Sequence, residues 1–446
     1  MIKRAIGIAM AFVGVVVGAG FASGQEAIQF FVAFGPWGIV GAVISSVLIS
    51  ITGMIVLRFG SYWMAQEHTA VLNEVAGRPI ALLLDVGVMI TLFSVGFVMF
   101  AGAGANLQQQ FGLPLWVGSA IMIVLTMATG FLDIDKVSTV IGACTPFIIM
   151  FIVLATVYAI TQAPSDLSTL DAATAQVQTG LPNWWVSCLN YVGFNLIVGA
   201  SMAIVIGGVQ TDTRAAGWGG FLGGLIFSAL VLCLVVSLWL TLPIVGQESM
   251  PTLALVNHIH PWLGIAMAIV IYAMIYNTAI GMFYSMSRRA TASRPHLFRR
   301  VYLGFCVIGI VLSTVGFKSL VSFLYPILGY VGLVLIAVLF LAYLRHRRQI
   351  DAEIKRRETI RALLIRKLDP RKMFTRKHAS ALQKAVEESP AESEILQENL
   401  TGEVVDELVA DETVDFTAAD AARVEAEGLG DSPSKAASDL AKHPAS

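Results

Sequence analysis

The sequence predicts an all-α polytopic membrane protein with about ten transmembrane helices, and three observations carry that reading. Of the 446 residues, 56% are apolar and only 13% are charged, about half the charge share of a soluble domain. The mean hydropathy is +0.75. The charge is also badly placed for a water-facing surface: 17 of the 29 Lys and Arg lie beyond residue 344, leaving 12 for everything before it. The net charge of −1 therefore carries no information for the chain as a whole.

A hydrocarbon core takes about 20 apolar residues per helix. By that measure the spans fall at 5–33, 38–58, 79–105, 115–132, 137–161, 185–208, 217–243, 262–286, 301–317 and 319–344, with joints marked by Gly35-Pro36, Pro114, Pro164, Pro182, Pro261 and Pro295. Lys3, Arg4 and the small residues Ala22-Ser23-Gly24 imitate a cleavable secretory signal. Apolar character resumes at Ala27, Ile28, Phe30 and Phe31, so the stretch is expected to span. Cys144, Cys188, Cys233 and Cys306 all sit in apolar stretches, as small buried residues do, and their spacing matches no metal pattern.

Placing the N-terminus in the cytoplasm puts eleven basic residues of the first 344 on the inside and only Lys318 outside. Because Arg345, Arg347 and Arg348 follow the last span, the span number is even, which favours ten with both termini cytoplasmic. The outside segment 163–184 carries Asp166 and Asp171 and no basic residue. His258 and His260 share another outside loop, but two histidines without further ligands do not make a metal site. Asp85, near the inner end of the third span, reads as interfacial rather than as a proton carrier.

Beyond residue 344 the composition splits. Residues 345–384 hold 14 Lys and Arg against four Asp and Glu, with Ile354, Ile360, Leu363, Leu364 and Leu368 at helical spacing. Segment 345–386 is thus expected to be a basic amphipathic helix lying on anionic inner-leaflet lipid. Residues 387–431 hold 15 acids and one arginine, and 387–446 reads as a disordered acidic tail.

The first span carries the chemistry. A straight helix over 5–33 would reach about 43 Å, well past the hydrocarbon thickness. Its middle, Gly18-Ala19-Gly20-Phe21-Ala22-Ser23-Gly24-Gln25-Glu26, has three glycines in seven residues followed by a polar pair. Two half-helices joined by an unwound stretch explain both features, provided that the stretch lines a cavity or is covered by protein. Close helix packing through Gly14/Gly18 and Gly20/Gly24 is the competing explanation. Ser23-Gly24-Gln25-Glu26 also fits a capping box, in which Glu26 would only start a helix. The sixth span repeats the theme with Asn190, Gly193, Asn195, Gly199, Ala200 and Ser201 in its middle. The halves 5–161 and 185–344 are nearly equal, and five spans in each put them in opposite orientations. Interrupted helices at matching positions of two inverted halves point to a transporter's midplane site.

The stretch Ala11–Glu26, above all Gly18 to Glu26, resembles the YkvI-type bacterial membrane proteins, relatives of the amino acid–polyamine–organocation superfamily. The resemblance covers about residues 1–344 and not the tail. It implies a LeuT-like five-plus-five inverted repeat with helices 1 and 6 broken, and alternating access in a bacterial cell membrane. In sodium-coupled members of that fold an ion sits between the first and eighth helices. The resemblance therefore implies a Na⁺ site at Gly18, Phe21, Asn277 and Thr278, against the plain alternative that Thr278 bonds back to its own helix.

The expected function is secondary active transport of a small polar solute, an amino acid or related zwitterion or amine, coupled to Na⁺ or H⁺. The substrate residues would be Gly20, Phe21, Ala22, Ser23, Gly24, Gln25 and Glu26 with Asn190, Asn195, Gly199 and Ser201. No cofactor beyond the coupling ion and no nucleic-acid partner is expected. The spans hold no histidine and no HExxH, so an intramembrane enzyme is disfavoured. A channel and a membrane-anchored signalling or scaffold protein acting through its tail are the rival readings.

Overall fold

The computed structural model describes residues 2–131, 145–164, 168–369 and 371–411, with a few positions between 414 and 424. Lys136, Cys144, Asp166 and the start of the fifth predicted span lie outside these residues. Among the described residues the regular structure is entirely helical. The first span is α1 (Ile2–Val16), α2 (Ala19–Ser23) and α3 (Gln25–Phe30). Then come α4 (Pro36–Trp63), α5 (His68–Val75), α6 (Arg78–Phe111), α7 (Leu115–Thr129), α8 (Thr145–Thr161) and α9 (Ser168–Thr174). The second half holds α10 (Trp184–Gly208), α11 (Thr213–Leu240), α12 (Leu242–Val245), α13 (Pro251–Ile259), α14 (Pro261–Ala290), α15 (Phe298–Ser313) and α16 (Phe317–Leu368). Two further helices, α17 (Arg376–Glu387) and α18 (Ser393–Ala410), follow.

Seven of the described helices are long and apolar enough to cross a membrane, and α7 and α8 are shorter apolar helices. With the interrupted first span these account for the ten predicted. The packing shows the two-fold relation between halves. Helix α1 packs on α11 as α10 packs on α4, and α6 packs on α7 and α15 as α14 packs on α15 and α7. The pairs α4–α11 and α6–α14 map onto themselves. Glycines set the closeness of these crossings. A Cβ on Gly220 would lie 2.4 Å from the Gly53 carbonyl oxygen, so α4 and α11 touch backbone to backbone.

Two expectations are corrected here. Helix α10 runs unbroken from Trp184 to Gly208. Its polar and small residues serve packing instead of unwinding. Asn190 Nδ2 donates to the Pro326 carbonyl across the interface (2.9 Å), and Asn195 Nδ2 donates to Tyr191 O one turn back (2.9 Å). Gly193 faces Gly332 so closely that a Cβ on Gly332 would sit 1.9 Å from the Gly193 oxygen. Of the two helices expected to be broken, the first is and the sixth is not.

The second correction concerns the segment beyond the spans. The basic stretch is the continuation of the last span: α16 runs 52 residues without a stop. Ile354, Ile360 and Leu364, the face expected to meet lipid, are buried against protein. Arg357 (4% exposed) fixes the extension to the bundle. It donates to Glu353 Oε1 (2.9 Å), Thr211 O (3.1 Å) and Tyr62 O (2.9 Å). A charge taken out of water is tolerable only when it is paired and its donors are satisfied, as here. Part of the stretch expected to be disordered is ordered too. Leu396, Leu400, Val404, Val405 and Leu408 of α18 bury with Ile360, Leu364, Leu382 and Val386. Acidic composition hid an apolar seam that recurs every three or four residues.

Candidate substrate and cation site

The interruption of the first helix is built by the backbone. The Gly18 N–H turns back to Val16 O (2.8 Å), and the Ala19 N–H donates to Thr278 Oγ1 of α14 (3.4 Å). In a continuous helix these two donors would bond the carbonyls of Gly14 and Val15, so those oxygens lose their helical partners. Gly18 itself is extended (φ −96°, ψ −178°). A second interruption falls at Gly24, left-handed at φ +80°, where only glycine is unstrained. Its missing side chain lets Thr252 and Leu238 close in.

Around the first interruption lies a cavity of about 300 Å³. Gly14 to Phe21 and Glu26 form one wall; α10 adds Phe194, Asn195, Gly199 and Ser201; α14 adds Asn277, Thr278 and Ser285. Val95 and Met99 of α6 and Tyr325 of α16 complete its apolar side. Glu26 is 7% exposed and forms no hydrogen bond or ion pair among the described residues. Its side chain folds over Gly20, where a Cβ would lie 1.7 Å from Oε1. The capping-box reading therefore fails: Gly24 is the N-cap of α3, without a side-chain cap bond. The Ser23 hydroxyl instead donates to Gly20 O (2.7 Å) and accepts from the Gln25 N–H (3.1 Å).

The structure brings Gly18, Gly20, Phe21, Glu26, Asn195, Gly199, Ser201, Asn277 and Thr278 to this one cavity. It does not bring Ala22, Ser23, Gly24, Gln25 or Asn190 there; these are buried in the packing around it. The Gly18 and Phe21 carbonyls already accept from the Ala22 and Gly24 N–H groups (both 3.1 Å), so the oxygens freed by the interruption are those of Gly14 and Val15. His260 caps α14 by accepting from the Trp262 N–H (3.3 Å).

Side-chain contacts flank the cavity on two sides. At one end Phe30 and Phe31 pack on Tyr191, with ring centroids 5.2 and 4.8 Å away, and Phe194 stacks on Tyr325 at 4.2 Å. At the other, the end rich in arginine, Ser201 Oγ meets His68 Nδ1 (2.8 Å) and His68 Nε2 meets Asp85 Oδ1 (3.1 Å). Arg289 holds both oxygens of Asp85, at 3.1 and 2.7 Å. This network joins α10 and α5 to α6 and α14. Asp85 is thus a structural partner of Arg289, bonded across 204 residues. No local pattern in the sequence marks His68, whose partner Ser201 is 133 residues away.

No family model matches the chain. It is similar to the uncharacterized membrane protein YkvI of Bacillus subtilis (strain 168), 24% identical over 344 residues, which cover 77% of this chain and 97% of that protein. The uncharacterized protein YyaD of the same organism is 24% identical over 329 residues, 74% of this chain and 94% of its own length. Among solved structures, the inward-facing conformation of Mhp1 superposes with a TM-score of 0.51 at 14% identity, over 95% of this chain and 94% of Mhp1. MhsT in complex with L-phenylalanine gives 0.50 at 14% identity, over 90% and 96%. A Na⁺-coupled sialic acid symporter in a substrate-bound outward-open state gives 0.51 at 12% identity, over 76% and 78%. The likeness establishes the fold: an all-α polytopic membrane protein with the two-fold architecture of those transporters.

Proposed function

We propose that the protein is a secondary active transporter of a small solute bearing an amine, an amino acid or related zwitterion, working by alternating access with Na⁺ as the coupling ion. The observation that carries the reading is Glu26, a buried carboxylate without a hydrogen-bond or ion-pair partner among the described residues, facing a cavity at an interrupted helix. A carboxylate so placed in a membrane is costly unless something pairs with it, and a substrate ammonium supplies that pair. A cavity of about 300 Å³ lies at the small end of ligand pockets, fitting a solute of that size with Val95, Met99 and Phe194 against its apolar part. For the cation, the Gly14 and Val15 carbonyls left without helical partners and Thr278 Oγ1, all on residues lining the cavity, are the hard oxygen ligands on offer. The similarity in fold to Na⁺-coupled transporters supports that choice.

Transport requires the two ends to open in turn. The aromatic cluster and the Ser201–His68–Asp85–Arg289 network are suited to be the two closures, since each ties α10 to a different neighbour. The positive-inside bias supports placing the arginine-rich end, with both termini, in the cytoplasm.

Glu26→Gln tests the reading. It keeps the shape and removes the charge, so the variant is expected to insert and fold as the parent does. Uptake into proteoliposomes should fall by at least about ten-fold, the loss of one charge-assisted hydrogen bond. Near-normal uptake would refute the role of Glu26. Accumulation of the solute above its outside concentration separates a coupled transporter from a channel.

A further inference from the structure

About a quarter of this chain has no counterpart in either relative. Alignment with YkvI covers 344 residues of 446 while using 97% of YkvI. The 102 residues left over (446 − 344) equal in number those after Leu344. The structure shows what the residues after Leu344 touch. One carboxylate of α18, Glu403, takes Arg4 of α1 (2.8 Å) and the Thr211 hydroxyl of the α10–α11 turn together. One turn on, Glu407 pairs with Arg361 of α16. Below them the apolar seam of α18 is buried against Ile360 and Leu364.

What Arg4 belongs to gives this contact its consequence. Helix α1 is joined to the rest of its span only through the extended Val17–Gly18 link, and its last residues, from Gly14, wall the cavity. The last turn of α1 forms part of the cavity wall, so a shift of α1 changes the shape of the cavity. Movement of α1 about that link is the hinge motion that such a joint permits. We propose that α18 is a built-in clamp: Glu403 holds α1 and the α10–α11 turn against the extended last helix and restricts access to the cavity from the arginine-rich end. Release of α18 frees α1. The Arg4–Glu403 pair is partly exposed, at 47% and 26%, so it holds the entrance weakly and is weakened by salt. A weak, reversible hold is what a regulator needs; an irreversible one would disable the bundle. This rests on the transport reading only for its effect on flux, and its test reads access alone, without a cargo.

The test places a cysteine at Gly14, where a Cβ meets nothing within 4 Å, in the full-length chain in inside-out vesicles. Alkylation by a charged, impermeant thiol reagent is followed over time. Glu403→Gln is expected to speed labelling of the Gly14 cysteine by about two- to five-fold, the worth of an exposed ion pair. High salt should speed the parent by a similar factor and leave Glu403→Gln unchanged. Exchanging the charges, Arg4→Glu with Glu403→Arg, should return labelling toward the parent rate, while Arg4→Glu alone should match or exceed Glu403→Gln. Native Cys306, fully buried in the scaffold, reports general loosening and should stay unlabelled throughout. The clamp is overturned if Glu403→Gln labels at the parent rate, if Cys306 labels in step with the Gly14 cysteine, or if the exchanged pair labels as fast as the single variants.

Discussion

Gly20→Ala tests the position of the Glu26 carboxylate in the cavity. The new Cβ would stand 1.7 Å from Glu26 Oε1 and 2.7 Å from Cδ. Side-chain carbons do not approach closer than about 3.0 Å, so the carboxylate oxygen has to retreat by at least 1.3 Å (3.0 − 1.7). Since the obstacle is the end of a flexible side chain, the backbone need not move. An off-rotamer glutamate costs ~0.5–1.5 kcal/mol, and alanine regains up to ~1 kcal/mol over glycine in a helix. The two nearly cancel, so the melting temperature should stay close to the parent's. Binding should not. A charge-assisted hydrogen bond stretched by 1.3 Å is lost, removing ~1.5–3 kcal/mol, roughly ten- to a hundred-fold in affinity. The assay is thermal stability of the purified protein against amino acids, amines and organic acids, with and without Na⁺. A ligand at about 100 times its Kd adds ~2.7 kcal/mol to the parent, and most of that shift should vanish in Gly20→Ala. Gly7→Ala, where the added carbon meets nothing, controls for the glycine-to-alanine change. If Gly20→Ala keeps the parent's ligand-induced shift, the position of the Glu26 carboxylate does not matter and the binding argument fails.

Thr278→Val removes the acceptor of the Ala19 N–H and one of the oxygens assigned to the cation. It should lower stability by ~1–3 kcal/mol through the unpaired donor and abolish stabilisation by Na⁺. A parent protein indifferent to Na⁺ would remove the sodium assignment altogether. Gly332→Ala presses a carbon to 1.9 Å from the Gly193 backbone, where nothing flexible can yield. Thermal unfolding should show a loss of ~1–3 kcal/mol or more from overpacking, and a stable variant would mean that α10 and α16 are not in contact as described. For orientation, a cysteine replacing exposed Lys377 should react with an impermeant reagent only in broken cells, and one replacing exposed Gln176 in intact cells. The reverse pattern would invert the topology.

The sequence by itself determined the class of protein, the number of spans and the interruption of the first helix. Each follows from composition over a window or from glycine density in one segment, quantities that no distant residue can change. Glu26 was legible for the same reason: an acid inside an apolar run has few innocent explanations. Only the tertiary structure decided which polar groups meet. Asn190 and Gly193 look like a second interruption when read along the chain, yet their partners Pro326 and Gly332 sit over 130 residues away and turn them into packing. Ser23-Gly24-Gln25-Glu26 reads as a cap locally, but Gly20 leaves the space into which Glu26 folds instead. His68, Asp85 and Arg289 each look like surface residues at a helix end, and form one network only because three elements bring them together. The acidic tail misled most, because charge counts average over a helix while burial depends on one face. The seam of α18 faces Ile360, Leu364, Leu382 and Val386, and the fold alone fixes where those lie.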